Sequence, residues 1–208
     1  MNKKHIVVFG LNNFGMSTIK ELSKYNCETL AIDKNQDRVE IAAEYATYAM
    51  QVNVQDEDDF EELSLNSYDI AIITFSDIQT SILAALACKE NNIPMVIAKA
   101  NDDTHKKILT KMEVDKIILP EEEMGKKLAK GIMNKSIIEI IDLSEDYSLV
   151  ELNVHEDWDN KSLSDLRLRN IYGFNVLCVK CKSKDIVISP LPEQIVKKWR
   201  YISRNSTE

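Results

Sequence analysis

The stretch Lys4-His5-Ile6-Val7-Val8-Phe9-Gly10-Leu11-Asn12-Asn13-Phe14-Gly15 decides the fold. His5–Phe9 is a short apolar run rich in β-branched residues and reads as a buried strand. A tight turn over Gly10–Gly15 follows. A helix runs from Phe14 to about Tyr25, and a second strand, Glu28–Ile32, ends on Asp33. This is the opening βαβ unit of a dinucleotide-binding fold, whose pattern is G-x-G-x-x-G with an acid about 20 positions on. Gly10 and Gly15 supply the first and third glycines and Asp33 the acid, but the second glycine is Asn12.

Each position has a physical task. Gly10 lets the chain turn sharply out of the strand, and Gly15 lets the helix approach the sheet. The helix N-terminus offers unpaired N–H groups and a partial positive charge to a phosphate. Asp33 offers acceptors to ribose hydroxyls. The middle position is where the backbone comes nearest a pyrophosphate. Asn tolerates positive φ, so the turn survives, but its side chain takes space beside the phosphates.

Outward from this unit the pattern repeats. Strand starts fall near residues 5, 28, 48, 69, 95 and 116, with helices expected over 36–46, 56–65, 78–91 and 103–112. In the third of these, Ile82, Leu83, Leu86 and Ala87 are expected on the apolar face, after a Ser76-Asp77 cap. Ile70-Ala71-Ile72-Ile73 is a continuous apolar run, as in a parallel strand covered on both faces. Six βα units predict an α/β, doubly wound, six-stranded parallel sheet. Ligands on such sheets bind at the carboxyl ends of the strands, where Gly10, Asp33, Asn53, Ser76 and Lys99 all fall.

A sixth helix is expected over Glu121–Asn134, with Glu121, Glu122 and Glu123 in its first turn complementing the helix dipole. Met124, Leu128 and Ile132 form an apolar stripe along it that needs a partner. The periodicity then changes. Strands are expected over 137–143, 148–154, 174–179 and 185–189, with a short helix over 162–171, so a small α+β domain follows. The expected division is 1–140, including helix 121–134, and 141–208.

Bulk properties exclude several classes. A length of 208 residues allows one large or two small domains, and 44% hydrophobic with 29% charged residues is an ordinary globular balance. The net charge of −8 is spread along the chain and argues against a nucleic-acid-polymer partner. No apolar run reaches membrane-spanning length, and the N-terminus enters a strand without the look of a signal peptide. Cys27, Cys88, Cys178 and Cys181 are expected as free thiols. Cys178 and Cys181 sit three apart in an expected strand, where they point to opposite faces. His5, His105 and His155 have no metal-ligand spacing.

Several segments together carry a family resemblance. They are Val8–Gly15, Leu30-Ala31-Ile32-Asp33, Tyr45-Ala46-Thr47, Ile93-Pro94, Ala98-Lys99-Ala100 and Leu119-Pro120-Glu121-Glu122-Glu123-Met124-Gly125. Leu166–Val179 and Ile188-Ser189-Pro190 add to them. In this order the chain resembles the RCK-domain (regulator of potassium conductance) cytosolic regulatory subunits of Ktr/Trk-type potassium transporters. The resemblance implies a non-enzymatic, cytoplasmic subunit, peripheral to the inner face of the membrane. It would dimerise, assemble into an octameric ring and dock on a membrane-embedded potassium-translocating subunit. Adenine nucleotides would set the ring's shape, ATP and ADP in one branch and NAD(H) in the other. Cyclic di-AMP would bind the small domain in some members.

By position, the resemblance implies that Gly10, Asn12, Asn13, Phe14 and Gly15 form the phosphate turn and that Asp33 holds the ribose. Asn53 falls on the adenine side, Ser76 at the next strand end, and Lys99 reaches phosphate. Glu121 would approach the phosphates and a divalent cation, Mg²⁺ or Ca²⁺. Arg169 and Asn175 would contact cyclic di-AMP, with Val176 and Leu177 as its apolar floor. There are three departures. Asn12 replaces glycine. Asn13 replaces an Arg that contacts the terminal phosphate of ATP, which weakens ATP/ADP discrimination. The family's last strand, of the type D-x-L-x-x-x-G, matches Arg200–Ser206 poorly, so that strand is expected to be frayed or missing. The turn alone also fits an NAD(P)-dependent oxidoreductase, which needs a catalytic Lys or His and a substrate domain; the residues after 140 are few for one.

Overall fold

The computed structural model describes residues 3–56, 63–133, 137–142, 147–173, 175–180, 185–197 and 201–206. The chain divides into two compact units, Met1–Glu121 and Glu122–Glu208. The division falls inside the helix that crosses between them, ahead of the change of pattern near residue 140.

The first unit is built on β1 (Lys4–Phe9), β2 (Cys27–Asp33), β3 (Tyr48–Gln51), β4 (Ile70–Ile73), β5 (Met95–Lys99) and β6 (Lys116–Ile118). All pairings are parallel and the order is β3-β2-β1-β4-β5-β6, the doubly wound sheet expected from the six-fold repeat. Alternate residues of β1 serve opposite faces. Val7 and Phe9 join Leu30, Ile32, Ala71, Ile73 and Val96 on one side. Ile6 and Val8 join Ala31, Leu11, Ile19, Val39 and Ala42 on the other. Burial on both faces is why these strands read as unbroken apolar runs.

The helices are α1 (Asn13–Leu22), α2 (Gln36–Ala42), α3 (Ile78–Glu90), α4 (Asp103–Lys111) and α5 (Pro120–Met133). Asp77 caps α3 by accepting from the Thr80 amide, in line with the Ser76-Asp77 cap. The expected face of α3 is corrected. The helix buries Ser81, Ala84, Ala85 and Cys88, while Leu83 and Leu86 are exposed. Small side chains let the helix lie close to the sheet, and its larger residues are left outside. Burial pushes the Cys88 thiol up to about 12, so it stays protonated as a core residue. The helix expected over 56–65 falls largely on residues outside the described ones; Leu65–Ser67 is a single 3₁₀ turn.

The second unit is an antiparallel sheet with β7 (Ile137–Asp142), β8 (Ser148–Asn153), β9 (Asn175–Lys180), β10 (Ile186–Ile188) and β11 (Tyr201–Ser206), in the order β10-β9-β11-β8-β7. The expectation of a frayed or missing last strand is corrected. β11 lies between β8 and β9 and pairs with both. A strand bonded along both edges is held by its backbone, so the absent D-x-L-x-x-x-G side-chain pattern does not prevent it forming. The expected helix over 162–171 is two short pieces, α6 (Leu163–Leu166) and α7 (Leu168–Tyr172), broken at Arg167, which adopts φ 46°. Ser162 and Asp165 form a reciprocal capping box at the start of α6. Phe174 and Cys181 lie outside the described residues, so neither the C-x-x-C pair nor the start expected for β9 is seen whole.

Candidate functional site

The sheet order reverses beside β1: β2 and β3 lie on one side, β4, β5 and β6 on the other. The carboxyl ends of β1 and β4 therefore flank a topological switch point, where ligands of such folds bind. A cleft of about 250 Å³ opens there. Its lining brings together Gly10, Asn12, Asp33, Asn53 and Ser76 from the expected set, and adds Lys34, Arg38, Val52, Val54, Phe75, Asp77 and Thr80.

Two glycines make the turn possible. Gly10 has φ +88°, a conformation that favours glycine. A Cβ on Gly15 would stand 2.0 Å from the Gly10 carbonyl oxygen, so only glycine lets α1 begin this close to the end of β1. Thr74, fully buried at the end of β4, fixes the turn from the opposite side. Its hydroxyl donates to the Gly10 carbonyl at 2.7 Å, and its amide donates to the Phe9 carbonyl at 2.8 Å. Sequence reasoning missed Thr74, since a Thr at the end of an apolar strand carries no local signal of that hydrogen bond.

Asp33 is the anchor at the β2 end, 4% exposed. Its Oδ2 accepts from the Leu11 amide at 2.6 Å, and its Oδ1 accepts from the Asn35 amide at 2.9 Å. The Arg38 guanidinium lies 3.6 Å from Oδ2. Each carboxylate oxygen has more than one lone-pair direction, so acceptors remain for a ribose hydroxyl.

Asn12 behaves differently from the expectation. Its φ is −66° and its ψ −177°, an extended residue, so the turn asks for no positive φ at this position. It is the N-cap of α1. Its Oδ1 accepts from the amides of Phe14 at 3.0 Å and Gly15 at 3.1 Å, and its Nδ2 donates to the Thr74 carbonyl. Asn13 follows as the first residue of the helix and is exposed.

Lys99 and Glu121 stand apart from the cleft lining and form a pair of their own. The buried Lys99 Nζ donates to Glu121 Oε1 at 2.5 Å. That bond holds the Glu121 carboxyl below its ordinary range. One Glu121 oxygen is paired with an ammonium, and among the described residues no cluster of three or more His, Cys, Asp or Glu could hold a metal. The expected divalent cation at Glu121 would therefore need ligands from outside these residues, such as phosphate oxygens.

In the second unit a hollow gathers Arg169, Asn175 and Val176 with Arg167, Pro190 and Pro192. Leu177 is not in its lining. Adjacent strand residues face opposite sides, so Val176 and Leu177 cannot form one floor. Val176 packs on the cluster of Val154, Leu166, Leu168 and Val196, while Leu177 is 45% exposed.

The glycine turn, the switch-point cleft and the Asp33 carboxylate define a Rossmann-type nucleotide-binding fold. The TrkA-N domain model matches residues 6–120. The chain is 38% identical over 198 residues to the Ktr system potassium uptake protein A of Bacillus subtilis, covering 95% of this chain and 89% of that protein. It is 34% identical to the Ktr system potassium uptake protein C of the same organism, covering 93% of this chain and 88% of that one. Two solved structures share the fold. They are the GsuK RCK domain, with a TM-score of 0.55 at 19% identity, and the GsuK channel bound to NAD, with 0.57 at 20%. They cover 99% and 100% of this chain, which spans 44% and 37% of theirs. The chain belongs to the TrkA-N family, and within it to the RCK regulatory subunits of Ktr/Trk-type potassium transporters.

Proposed function

We propose that the chain is a nucleotide-responsive gating subunit of a potassium uptake transporter. As a member of this family it is a non-enzymatic regulator of potassium transport, which sets aside the oxidoreductase alternative. The observation that carries nucleotide responsiveness is the switch-point cleft, where the glycine turn and the Asp33 carboxylate face one space. An adenine nucleotide, ATP, ADP or NAD(H), would bind there through its ribose. Its effect on the transporter equals its difference in affinity for two conformations of the assembly.

The partner in this reading is a membrane-embedded potassium-translocating subunit, with this chain on its cytoplasmic side. Among the described residues no helix is long and apolar enough to cross a membrane. Self-association into dimers and a ring is supported by α5, where Met124, Leu128 and Ile132 are 61%, 66% and 66% exposed. The nucleotide-binding part is taken as 1–140 and the smaller part as 141–208. Arg169, Asn175 and Val176 in the hollow of the second unit are the candidate contacts for cyclic di-AMP.

Calorimetric titration of the full chain with ATP, ADP, NADH and cyclic di-AMP tests the reading. Saturable binding of an adenine nucleotide that is weakened by Asp33→Ala is the expected result. No binding of any of the four overturns it.

A further inference from the structure

The cleft has two ends of unlike chemistry. At the β2 end stand Asp33, Lys34 and Arg38. At the switch point, where a Rossmann-type site holds its pyrophosphate against the helix, four of the backbone donors are already used. The Leu11 amide is taken by Asp33. The amides of Phe14 and Gly15 are taken by the Asn12 carboxamide oxygen, and that of Met16 by the Asn12 carbonyl. The Asn12 side chain is also tied from behind, through Nδ2 to the Thr74 carbonyl and, at 3.4 Å, to Ser76 Oγ. It cannot swing aside without losing bonds at both of its ends.

A second observation agrees. Asp77 lines the same end of the cleft. Its Oδ2 accepts from the Thr80 hydroxyl at 2.5 Å and the Thr80 amide at 2.8 Å. Those bonds favour the charged form and hold the carboxyl below its ordinary range. A phosphate entering here would meet a carboxylate, whose charge the nearby Lys34 partly offsets, and a capped helix, with no free backbone donor among those four amides.

We infer that Asn12 is a specificity-determining residue that stands in for the phosphate, so that the cleft selects a ribonucleoside and gains little from the phosphates attached to it. The carboxamide oxygen holds the place of a phosphate oxygen above α1. The nucleoside binds through Asp33, with Val52 and Val54 as apolar walls. This rests on the reading of the cleft as a nucleotide site, and it specifies which part of the nucleotide is recognised.

The test is calorimetry on the full chain with adenosine, ADP and ATP. In the unmodified protein the three dissociation constants are expected to lie within about threefold of one another. Asn12→Gly frees two helix amides and is expected to tighten ADP and ATP by about tenfold or more, while adenosine is unchanged. Asn12→Ala, which keeps the extended backbone and removes the carboxamide, should give the same result if the glycine variant folds poorly; thermal melts report folding for both. ADP binding more than about tenfold tighter than adenosine in the unmodified protein overturns the proposal. So does an unmodified chain that binds none of the three while a variant binds ADP, because Asn12 would then block the whole site. If neither the unmodified chain nor the variants bind any of them, the nucleotide reading itself falls, and this inference with it.

Discussion

Asp33 Oδ2 accepts a hydrogen bond from the Leu11 amide at 2.6 Å, so the last residue of β2 clasps the turn that leaves β1. The same carboxylate holds the Asn35 amide and faces Arg38. Asp33 is therefore part of the architecture of the cleft before any ligand arrives. A ribose would bind to an acceptor already oriented by three groups of the chain.

Replacing Asp33 should act in two ways at once. Asp33→Ala is expected to weaken ADP binding by about 1–3 kcal/mol through loss of a charged acceptor. It should also lower stability by about 1–3 kcal/mol, because the buried Leu11 amide loses its partner. Calorimetry and urea denaturation measure the two. Unchanged ADP affinity would place the nucleotide elsewhere.

Much of this was legible in the sequence, and the part that was not has a common cause. The inner strands of the first sheet announce themselves because both faces are buried and the apolar run is unbroken, as in Val7–Phe9 and Ile70–Ile73. The edge strands β3 and β6 are more exposed and are placed by the repeat. Gly10, Gly15 and Asp33 were legible because each meets a local demand for φ, space or charge. Asn12 was not. Its meaning depends on a carbonyl 62 residues away, on Thr74, which no local pattern reports. For the same reason Thr74 carries no local signal. The cap of α1 by Asn12 is itself local, an Asn directly ahead of a helix, but its place at the middle-glycine position of the turn pattern masks it. β11 is poorly legible because its side-chain pattern is weak, while its place is set by backbone pairing on both edges.

The apolar stripe on α5 leads to a prediction about assembly. If Met124, Leu128 and Ile132 are covered by a second copy, light scattering should give a multiple of 23.8 kDa. Leu128→Glu should lower that mass, because a charge buried at an apolar contact costs several kcal/mol, or about 2–7 by the scale for unpaired polar groups. The folded chain should persist, since Leu128 is 66% exposed in the single chain. An unmodified protein that runs as a monomer would remove α5 as an interface.

The Lys99–Glu121 pair predicts a pH signature. Its carboxyl is held below the ordinary value of 4.5 by the Lys99 hydrogen bond. A group with a depressed value in the folded state stabilises the fold above its unfolded value. That contribution is lost as pH falls through the folded one. Glu121→Gln should therefore destabilise the protein near pH 7 and make little difference well below 4.5. The size is about 1 kcal/mol or less, because Glu121 is mostly exposed and screened. Urea denaturation at the two pH values checks it. A difference that does not change with pH would trace the effect to something other than the ion pair.

The last prediction joins Asn13 to Asn12. Asn13 stands where the family resemblance puts an Arg against the terminal phosphate of ATP, so Asn13→Arg is the obvious route to ATP selectivity. The geometry argues that this change alone will do little. The amides of Phe14 and Gly15 are capped by Asn12, so no phosphate is held above α1 for the new guanidinium to meet. A lone cation at the first helical position also opposes the helix dipole. Opening the cap first changes the outcome. In an Asn12→Gly background the phosphates can settle on the helix, and Asn13→Arg should then favour ATP over ADP by about 1–2 kcal/mol through a charge-assisted bond. The two substitutions should thus be coupled by about 1 kcal/mol or more in a double-mutant cycle read on ATP affinity. Full ATP selectivity from Asn13→Arg alone would mean that the phosphates already lie against α1. In that case Asn12 must yield its bonds to them when nucleotide binds.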